Sequence, residues 1–451
     1  MENIKRDLND IVDIEAKQYG IYTLTNRAIP HLIDGFKPSH RFVISSALKD
    51  AKNSFSKVAS IAGNVSKFGY AHGETSAAEA GVLMANDWSN NVNVLEGRGN
   101  FGSRIVKDAA AARYIYAKVH DNFDLLFKDM NQEYEHPDTE IKIPQFYVPV
   151  LPIVLSNGIS GIATGFSTNI LPHSTKWLIK ACKEYVTTGK IVTRPVIDFP
   201  SFKGTVIDNK DGSYTQVGTY EVISPLQLKV TEIPTNLDWA KYSNILDKLQ
   251  DDGKIVSWDD GTGSEGFEFT IKLKRGLKYN ANDTEQINKL LKLEYKQTQN
   301  INIVTPGSDI TSLSTMYNLK TYDDARDVVK DFIDWVINNS LPTRIKTNIA
   351  DVTGVIEYNE AKIKFINDVN DNVIDLRTTT KKQLITRIIK DYKINEQTAS
   401  QIVRIPVYGL TKDEAAKCKK DIIEKKKLLK FWQNETPQSQ LLSDLTQLKL
   451  S

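Results

Sequence analysis

Cysteine is nearly absent. Cys182 and Cys418 are the two in 451 residues, too few for a disulfide framework, and such usage points to a reducing cytosol. Charge of one sign is missing as well: 58 Lys and Arg face 56 Asp and Glu, for a net charge of +2. Whole-chain charge therefore gives no warrant for nucleic-acid binding, which must rest on local clustering. The most apolar stretch, residues 146–166, is broken by Pro149, Pro152, Asn157, Gly158, Gly161 and Gly165. A membrane-spanning helix needs about 20 mostly apolar residues without such breakers. The opening MENIKRDLNDIVDIEA is polar and charged, unlike a secretory leader. No GxxxxGK[ST] loop occurs, since Gly189-Lys190 and Gly253-Lys254 lack the upstream glycine, and no Cys/His cluster has zinc spacing. Asp208-Asn-Lys-Asp211-Gly reads as a hairpin turn, not a cation loop. If ATP or Mg2+ is used, its main ligands come from another chain. Fixed-period repeats and low-complexity tracts are missing too.

With 40% apolar and 25% charged residues, the composition is that of a globular protein of two to four domains. Residues 3–25 predict an opening helix with Ile4, Leu8, Ile11, Ile14 and Tyr19 near one face. Pro38 stands where a helix would start, followed by SHRFVISSALKDA. A second helix is expected over ETSAAEAGVLMAND and a third over KDAAAARYIYAKVHDNF, from Lys107. Short strands are expected at 91–95 and after Gln145. Three helices and a small hairpin in this order predict a winged helix-turn-helix. From about Pro195 to Leu313, GTVIDN, YTQVGTYEVIS, LQLKVTEIP and FEFTIKLKR alternate between turn residues and read as antiparallel strands of an α+β insert. From about Tyr322 a long helix, a compact helical patch at 381–411 and a returning helix predict an antiparallel coiled-coil hairpin, with a kink at Pro342.

Three stretches could carry chemistry. Gly97-Arg98-Gly99-Asn100-Phe101-Gly102 is a literal GxGxxG. A dinucleotide site needs a helix opening directly from it and a second βα unit with an acid at its strand end. Neither follows, so the tight-turn reading is preferred, with the backbone open to close approach by a phosphate between Arg98 and Arg104. Next, Lys107-Asp-Ala-Ala-Ala-Ala-Arg113-Tyr114-Ile-Tyr116 reads either as a surface helix with two half-buried tyrosines or as a nucleophile beside a cation. Phenols are largely protonated at neutral pH, and an adjacent Arg both eases phenolate formation and binds phosphate oxygens. A phosphotyrosine link would keep the energy of a phosphodiester bond. Last, Arg27, Lys37, His40, Arg41, Lys67, His72, Arg98, Arg104 and Arg113 gather in the first quarter of the chain, as a solvated face or as a DNA footprint.

At these residues the sequence resembles the type IIA DNA topoisomerase family, nearest its phage branch and more distantly similar to the A chain of bacterial gyrase and the second half of the eukaryotic enzyme. The pieces are RAIPHLIDGFKPSHR (27–41), GYAHGETSAAEAG (69–81), LEGRGNFGSRIVKDAAAARYIY (95–116) and SNGISGIATGFSTNILPHS (156–174), with IDFPSFKG, VTEIP and QIVRIPVYGLTKDE behind them. Several long motifs in order are far more specific than one pattern. The resemblance implies that Tyr114 is the DNA-linked nucleophile and Arg113 its neighbouring cation. It places Arg27 and His72 at the scissile phosphate and Lys37, His40, Arg41, Arg98 and Arg104 on the DNA surface. It makes Ile162 the apolar wedge that bends the duplex. The implied fold is α+β and multidomain: a helical arm (1–26), a winged-helix cleavage domain (27–150), a tower domain (151–321), a coiled coil with a dimerising knob (322–435, knob 373–411) and a tail (436–451). Implied partners are two DNA duplexes, a second copy of the chain, and a subunit that binds ATP and holds Mg2+. Location in the cytoplasm, at the nucleoid of a phage-infected cell, is implied as well.

The sequence departs from the family pattern in places. Ala71 stands where relatives have His or Pro, Phe42 replaces a second Arg, and Glu96 and Arg98 replace Asp and Gln of the bacterial piece. The chain ends at Ser451, soon after the returning helix. The expected activity is therefore ATP-dependent relaxation, decatenation and unknotting without negative supercoiling. The rivals are a non-enzymatic winged-helix DNA binder, which needs no Tyr114, and a dinucleotide enzyme built on 97–102.

Overall fold

The computed structural model describes residues 10–448 except 131, 133, 277–279 and 377. The start of the expected opening helix and the end of the expected tail lie outside these. The chain divides into two compact units, residues 1–334 with 444–451, and residues 335–443.

The first unit opens with a helical stretch, π-wound over Asp10–Ala16, α over Lys17–Thr23 (α1) and π-wound again over Leu24–Ala28. Pro38 sits in the first turn of α2 (Pro38–Asp50), where its missing N–H costs nothing. There follow β1 (Ser56–Lys57), α3 (Val58–Asn64), α4 (Glu74–Ala85), β2 (Leu95–Arg98), β3 (Tyr116–Val119) and α5 (Asn122–Leu126). Helices α2, α3 and α4 pack together, and Gly81 on α4 is small enough that a Cβ there would lie 3.5 Å from Val43 and 3.6 Å from Val58. The strands form an antiparallel sheet in the order β1-β3-β2.

The third helix expected from Lys107 is absent, and the three helices are α2, α3 and α4, of which α3 was not foreseen. Residues 105–111 have no helix, and the chain then enters β3, the middle strand of the sheet. Other segments take the backbone groups that a helix would have used: Ala110 donates to Asn100 at 3.0 Å, Ala59 to the Ala112 carbonyl at 3.1 Å, and Val58 to that of Ile115 at 3.0 Å. Ile115, Ala117 and Val119 are buried while Tyr116 is exposed, a period of two hidden behind an alanine run. The strand expected at 91–95 begins only at Leu95, and the one expected after Gln145 does not form.

The rest of the unit holds α6 (Ile153–Ser156), the hairpin β4 (Ile159–Ala163) and β5 (Phe166–Ile170), and α7 (Thr175–Thr188). The alternating region gives β6 (Thr205–Asp208), β7 (Ser213–Val217), β8 (Thr219–Ser224), β9 (Gln227–Glu232), α8 (Trp239–Asp251), β10 (Ile255–Asp260), β11 (Phe269–Leu273), α9 (Thr284–Leu291), β12 (Glu294–Thr298), β13 (Ile301–Pro306) and β14 (Tyr317–Tyr322). As expected, these pair antiparallel, in sheets β10-β11-β9-β8, β12-β7-β6 and β13-β14. Leu228, Val230, Phe269 and Ile271 from the first sheet meet Tyr242, Leu246, Ile287 and Leu291 from α8 and α9 in one core. The 208–212 segment is the β6–β7 hairpin turn, with Lys210 and Gly212 at positive φ.

Helix α10 (Ala325–Trp335) leads through a π-wound turn, Val336–Ser340, into α11 (Leu341–Asn370) of the second unit. The helix stays unbroken here, and the π-wound turn just before Pro342 is the irregularity at the place where the sequence predicted a kink. Helices α12 (Lys381–Tyr392) and α13 (Glu396–Val403) close a small core of Phe365, Ile366, Leu384, Ile388, Ala399 and Ile402, and Thr380 with Gln383 forms a capping box on α12. Helix α14 (Lys412–Asn434) returns antiparallel to α11: Lys362 pairs with Glu414, and Asn359 farther back bonds Asp421 farther on. Helix α15 (Pro437–Gln447) follows. The overall class is α+β, as expected. Among the described residues no helix is long and apolar enough to cross a membrane.

Candidate nucleic-acid site

The loop before α2 is fixed by a buried ion pair. Arg41 donates from Nε to Asp34 Oδ2 at 2.6 Å and from Nη2 to Oδ1 at 2.9 Å. Asp34 also accepts from the Phe36 N–H at 3.0 Å and the Tyr147 N–H at 3.2 Å. Burial alone would lower the Arg41 pKa, but Asp34, by charge and hydrogen bonds, raises it above the ordinary value. Gly35 turns at φ +69, and a Cβ there would stand 2.4 Å from the Val154 nitrogen. His31 lies under this loop, stacked on Phe146 at 4.9 Å, its pKa held well below the ordinary value by burial.

This scaffold presents Lys37 at the head of α2. Its Nζ donates to the Ser160 carbonyl on β4 at 2.7 Å, and burial lowers its pKa. His40 Nδ1 accepts from the Lys37 N–H at 3.4 Å, and burial, joined by the charges of Lys37 and Arg41, lowers its pKa to about 3. His40 is thus a neutral part of the scaffold. The strand that receives Lys37 approaches the end of the opening helix so closely that a Cβ on Gly161 would meet the Ala28 carbonyl. One residue on, Ile162 stands 88% exposed on the β4–β5 hairpin.

Beside Lys37 lies a cavity of about 620 Å³ lined by Arg27, Tyr70, His72, Glu79, His136 and Asp138 among others. Tyr70 is the residue that sequence reasoning passed over. Its ring packs on Phe42 at 5.1 Å and meets His72 edge-on at 5.4 Å. Burial raises its pKa, while Arg27 pulls it down, so the hydroxyl senses that guanidinium. Gly69, at φ +93, lets the 138–141 loop close over this segment. His136 is lowered by burial against the pull of Asp138. The signal for Tyr70 was its place inside the quoted GYAHGE piece.

Tyr114 does not line this cavity. It is 65% exposed on the turn before β3, its N–H bonded to Ala111 at 2.9 Å, with the Arg113 guanidinium 4.8 Å from its ring centroid. Neither residue lines the cavity that holds Arg27 and His72. Arg98, at the end of β2, is exposed and rests over Phe55 at 5.8 Å. Lys67, on the turn after α3, bonds Asn64 at 2.6 Å.

Arg104 and Arg41 do not offer free cations. Arg104 is 8% exposed and donates to Glu232 at 3.2 Å and to the carbonyls of Leu237 and Ile233 at 3.0 and 2.8 Å. Arg41, at 4% exposure, is spent on Asp34. Both act as structural clamps rather than open phosphate ligands, because a buried charge is kept only where it is paired. The 97–102 turn leads into no helix, so the phosphate cradle of a dinucleotide fold is missing. A Cβ on Gly97 would lie 2.7 Å from the Phe101 ring. Among the described residues no group of three or more His, Cys, Asp or Glu side chains is placed to hold a metal ion. Cys182 is buried, and burial pushes its thiol up to about 12.

Residues 27–451 match the family model for the A subunit of DNA gyrase/topoisomerase IV. The chain is 40% identical to the DNA topoisomerase medium subunit of Enterobacteria phage T4, over the full length of both. It is 26% identical to DNA topoisomerase 2 of Plasmodium falciparum, over all of this chain but 35% of that one. Its fold is similar to the crystal structure of the Plasmodium falciparum topoisomerase II DNA-binding, cleavage and re-ligation domain, with a TM-score of 0.83 and 26% identity, covering 99% of this chain and 65% of that one.

Proposed function

Because the chain belongs to the family of the DNA gyrase/topoisomerase IV A subunit, we propose that it is the breakage-and-rejoining subunit of an ATP-dependent type II DNA topoisomerase and that Tyr114 is its nucleophile. The observation that carries the reading is the exposed Tyr114 phenol under the Arg113 guanidinium. The phenolic oxygen attacks a DNA phosphorus and loses its proton. The bond to the 3′ oxygen breaks, and that oxygen leaves as a hydroxyl. A 5′ phosphate stays on Tyr114. One phosphodiester replaces another, so the reverse attack reseals the strand without a new energy source at that step. Arg113, Arg27 and His72 stabilise charge on the transferring oxygens, usually the main source of rate enhancement in such chemistry.

In this reading two copies act together, each cutting one strand of the duplex. Lys37 grips the backbone. Ile162, anchored through Gly161 and Ser160, enters a base step, and such wedges kink DNA at a cost of a few kcal/mol per step. In this reading α2–α4 with the β1-β3-β2 sheet form the winged-helix domain, and residues 151–321 form the tower. The α11–α14 pair with its knob is the coiled-coil gate through which the second duplex leaves. Mg2+ and ATP, which the family resemblance implies, are assigned in this reading to a partner subunit. The products are relaxed, decatenated and unknotted DNA, made in the cytoplasm at the nucleoid. Net negative supercoiling by the assembled complex would contradict that list.

The test is Tyr114→Phe in the chain assembled with its ATPase subunit. Binding to duplex should persist while the denaturant-resistant protein–DNA adduct disappears. An adduct that survives, or one mapped to another peptide, refutes the assignment.

A further inference from the structure

We propose that Lys57, Tyr116 and Arg98 form a second phosphate-binding site, which grips the DNA backbone beside the phosphate that Tyr114 attacks. The proposal rests on the reading of the chain as a DNA-cleaving subunit. It begins from register. In the antiparallel sheet Tyr116 on the central strand lies opposite Lys57 on β1 and opposite Arg98 on β2. Directly opposed side chains have Cβ atoms about 4.5–5.5 Å apart, so the three make one row across the sheet. Ile115, Ala117 and Val119 point into the core, which sends Tyr116 and Lys118 outward. Lys57 and Arg98 are exposed, and Tyr116 is 37% exposed.

The cations of this face sort by partner. Lys118 is neutralised by Glu96 at 2.8 Å and Asp121 at 3.7 Å. Lys57 and Arg98 have no ion pair among the described residues. Two unpaired cations flank a phenol that can donate a hydrogen bond. This arrangement suits an anion rich in acceptor oxygens and without donors, as a phosphodiester is. Two residues span at most about 7 Å of chain, so Tyr116 stays that close to Tyr114. The bound phosphate is therefore expected on the same stretch of backbone as the attacked one. Each contact removes a counterion from the DNA when it forms.

The experiment measures binding of the full chain to a linear duplex over a range of salt. The plot of log K against log salt flattens by about 0.9 for each lost phosphate contact. Lys57→Ala and Arg98→Ala should each flatten it by that amount, and Arg98→Lys should restore the slope. Tyr116→Phe should weaken binding with the slope unchanged, because it removes a hydrogen bond and no charge. Lys118→Ala is the control and should keep the wild-type slope. Wild-type slopes in Lys57→Ala and Arg98→Ala, or an equal loss in Lys118→Ala, overturn the site. If the wild-type chain shows no salt-dependent DNA binding at all, the cleavage-subunit reading itself fails, a result separable from the other two.

Discussion

Replacing Arg41 with Ala separates scaffold from DNA contact. In the folded chain its guanidinium makes hydrogen bonds of 2.6 and 2.9 Å to Asp34 and a third of 3.2 Å to the Phe36 carbonyl. Asp34 is fully buried. After the substitution Asp34 keeps the Phe36 and Tyr147 amides, at 3.0 and 3.2 Å, but no countercharge. Breaking a buried pair from one side costs about 3–5 kcal/mol, and exchanging both partners for apolar groups costs far less. Arg41→Ala should therefore lose about that much stability, whereas Arg41→Met with Asp34→Leu should recover a large part of it. Urea unfolding followed by tryptophan fluorescence gives the loss. Because a chain of two units need not unfold in one step, hydrogen exchange at the Phe36 and Tyr147 amides gives the local value. A loss below about 1 kcal/mol, together with a salt slope of DNA binding flattened by about one, would refute the reasoning, because it would make Arg41 an open phosphate ligand.

Acid should destabilise the chain through its buried histidines. His40 is lowered to about 3 and His173 to about 4, from 6.5, chiefly by burial. Below pH 6.5 the unfolded chain therefore binds more protons than the folded one, and stability falls as pH drops toward those values, by up to about 1.4 kcal/mol per pH unit for each group. Urea unfolding between pH 7 and pH 4.5 should show this, with a shallower fall in His173→Asn, and equal curves would contradict neutral burial. Ile162→Ala should leave binding largely intact but reduce the bend of the bound duplex, read by energy transfer between labelled DNA ends, and an unchanged bend would remove the wedge. Gly35→Ala should destabilise the first unit by several kcal/mol, since it adds a Cβ at φ +69 against the Val154 nitrogen, and a wild-type unfolding midpoint would refute that contact.

The legible parts of the sequence were those with one dominant local signal. Pro38 opens α2, the alternating runs after Pro195 give strands, and Pro342 follows a π-wound turn. Residues 105–119 were illegible for a physical reason. Four alanines weigh toward helix by fractions of a kcal/mol per residue. That weight is smaller than the gain from burying Ile115, Ala117 and Val119 in the middle of a sheet, with the Ala110 amide bonded to the Asn100 carbonyl and the Ile115 and Ala112 carbonyls accepting from Val58 and Ala59. The competing partners sit on segments as much as 68 residues upstream in the chain, as with Ala51 and Val119, beyond the reach of any local window.

The same limit governs the candidate site, where residue type could not sort roles. Arg27, Arg41, Arg98, Arg104 and Arg113 looked equivalent as basic groups near one another in sequence. Desolvation separates them. A guanidinium that is 4% or 8% exposed must be paired, and Asp34 and Glu232 supply the pairs for Arg41 and Arg104. Glu232 lies 128 residues from Arg104, so no motif around that arginine announces it, whereas Asp34 lies 7 residues from Arg41 inside the same RAIPHLIDGFKPSHR piece, where residue type alone does not mark it as the partner. A guanidinium left in water has no such requirement, and its charge stays available to a phosphate. Arg113 over Tyr114, and Arg98 opposite Tyr116, are of that kind. Each of these open arginines is set beside a phenol, Arg113 by contact with the Tyr114 ring and Arg98 by register with Tyr116, and a phenol leaves the positive charge unspent while offering a hydrogen-bond donor to the same anion.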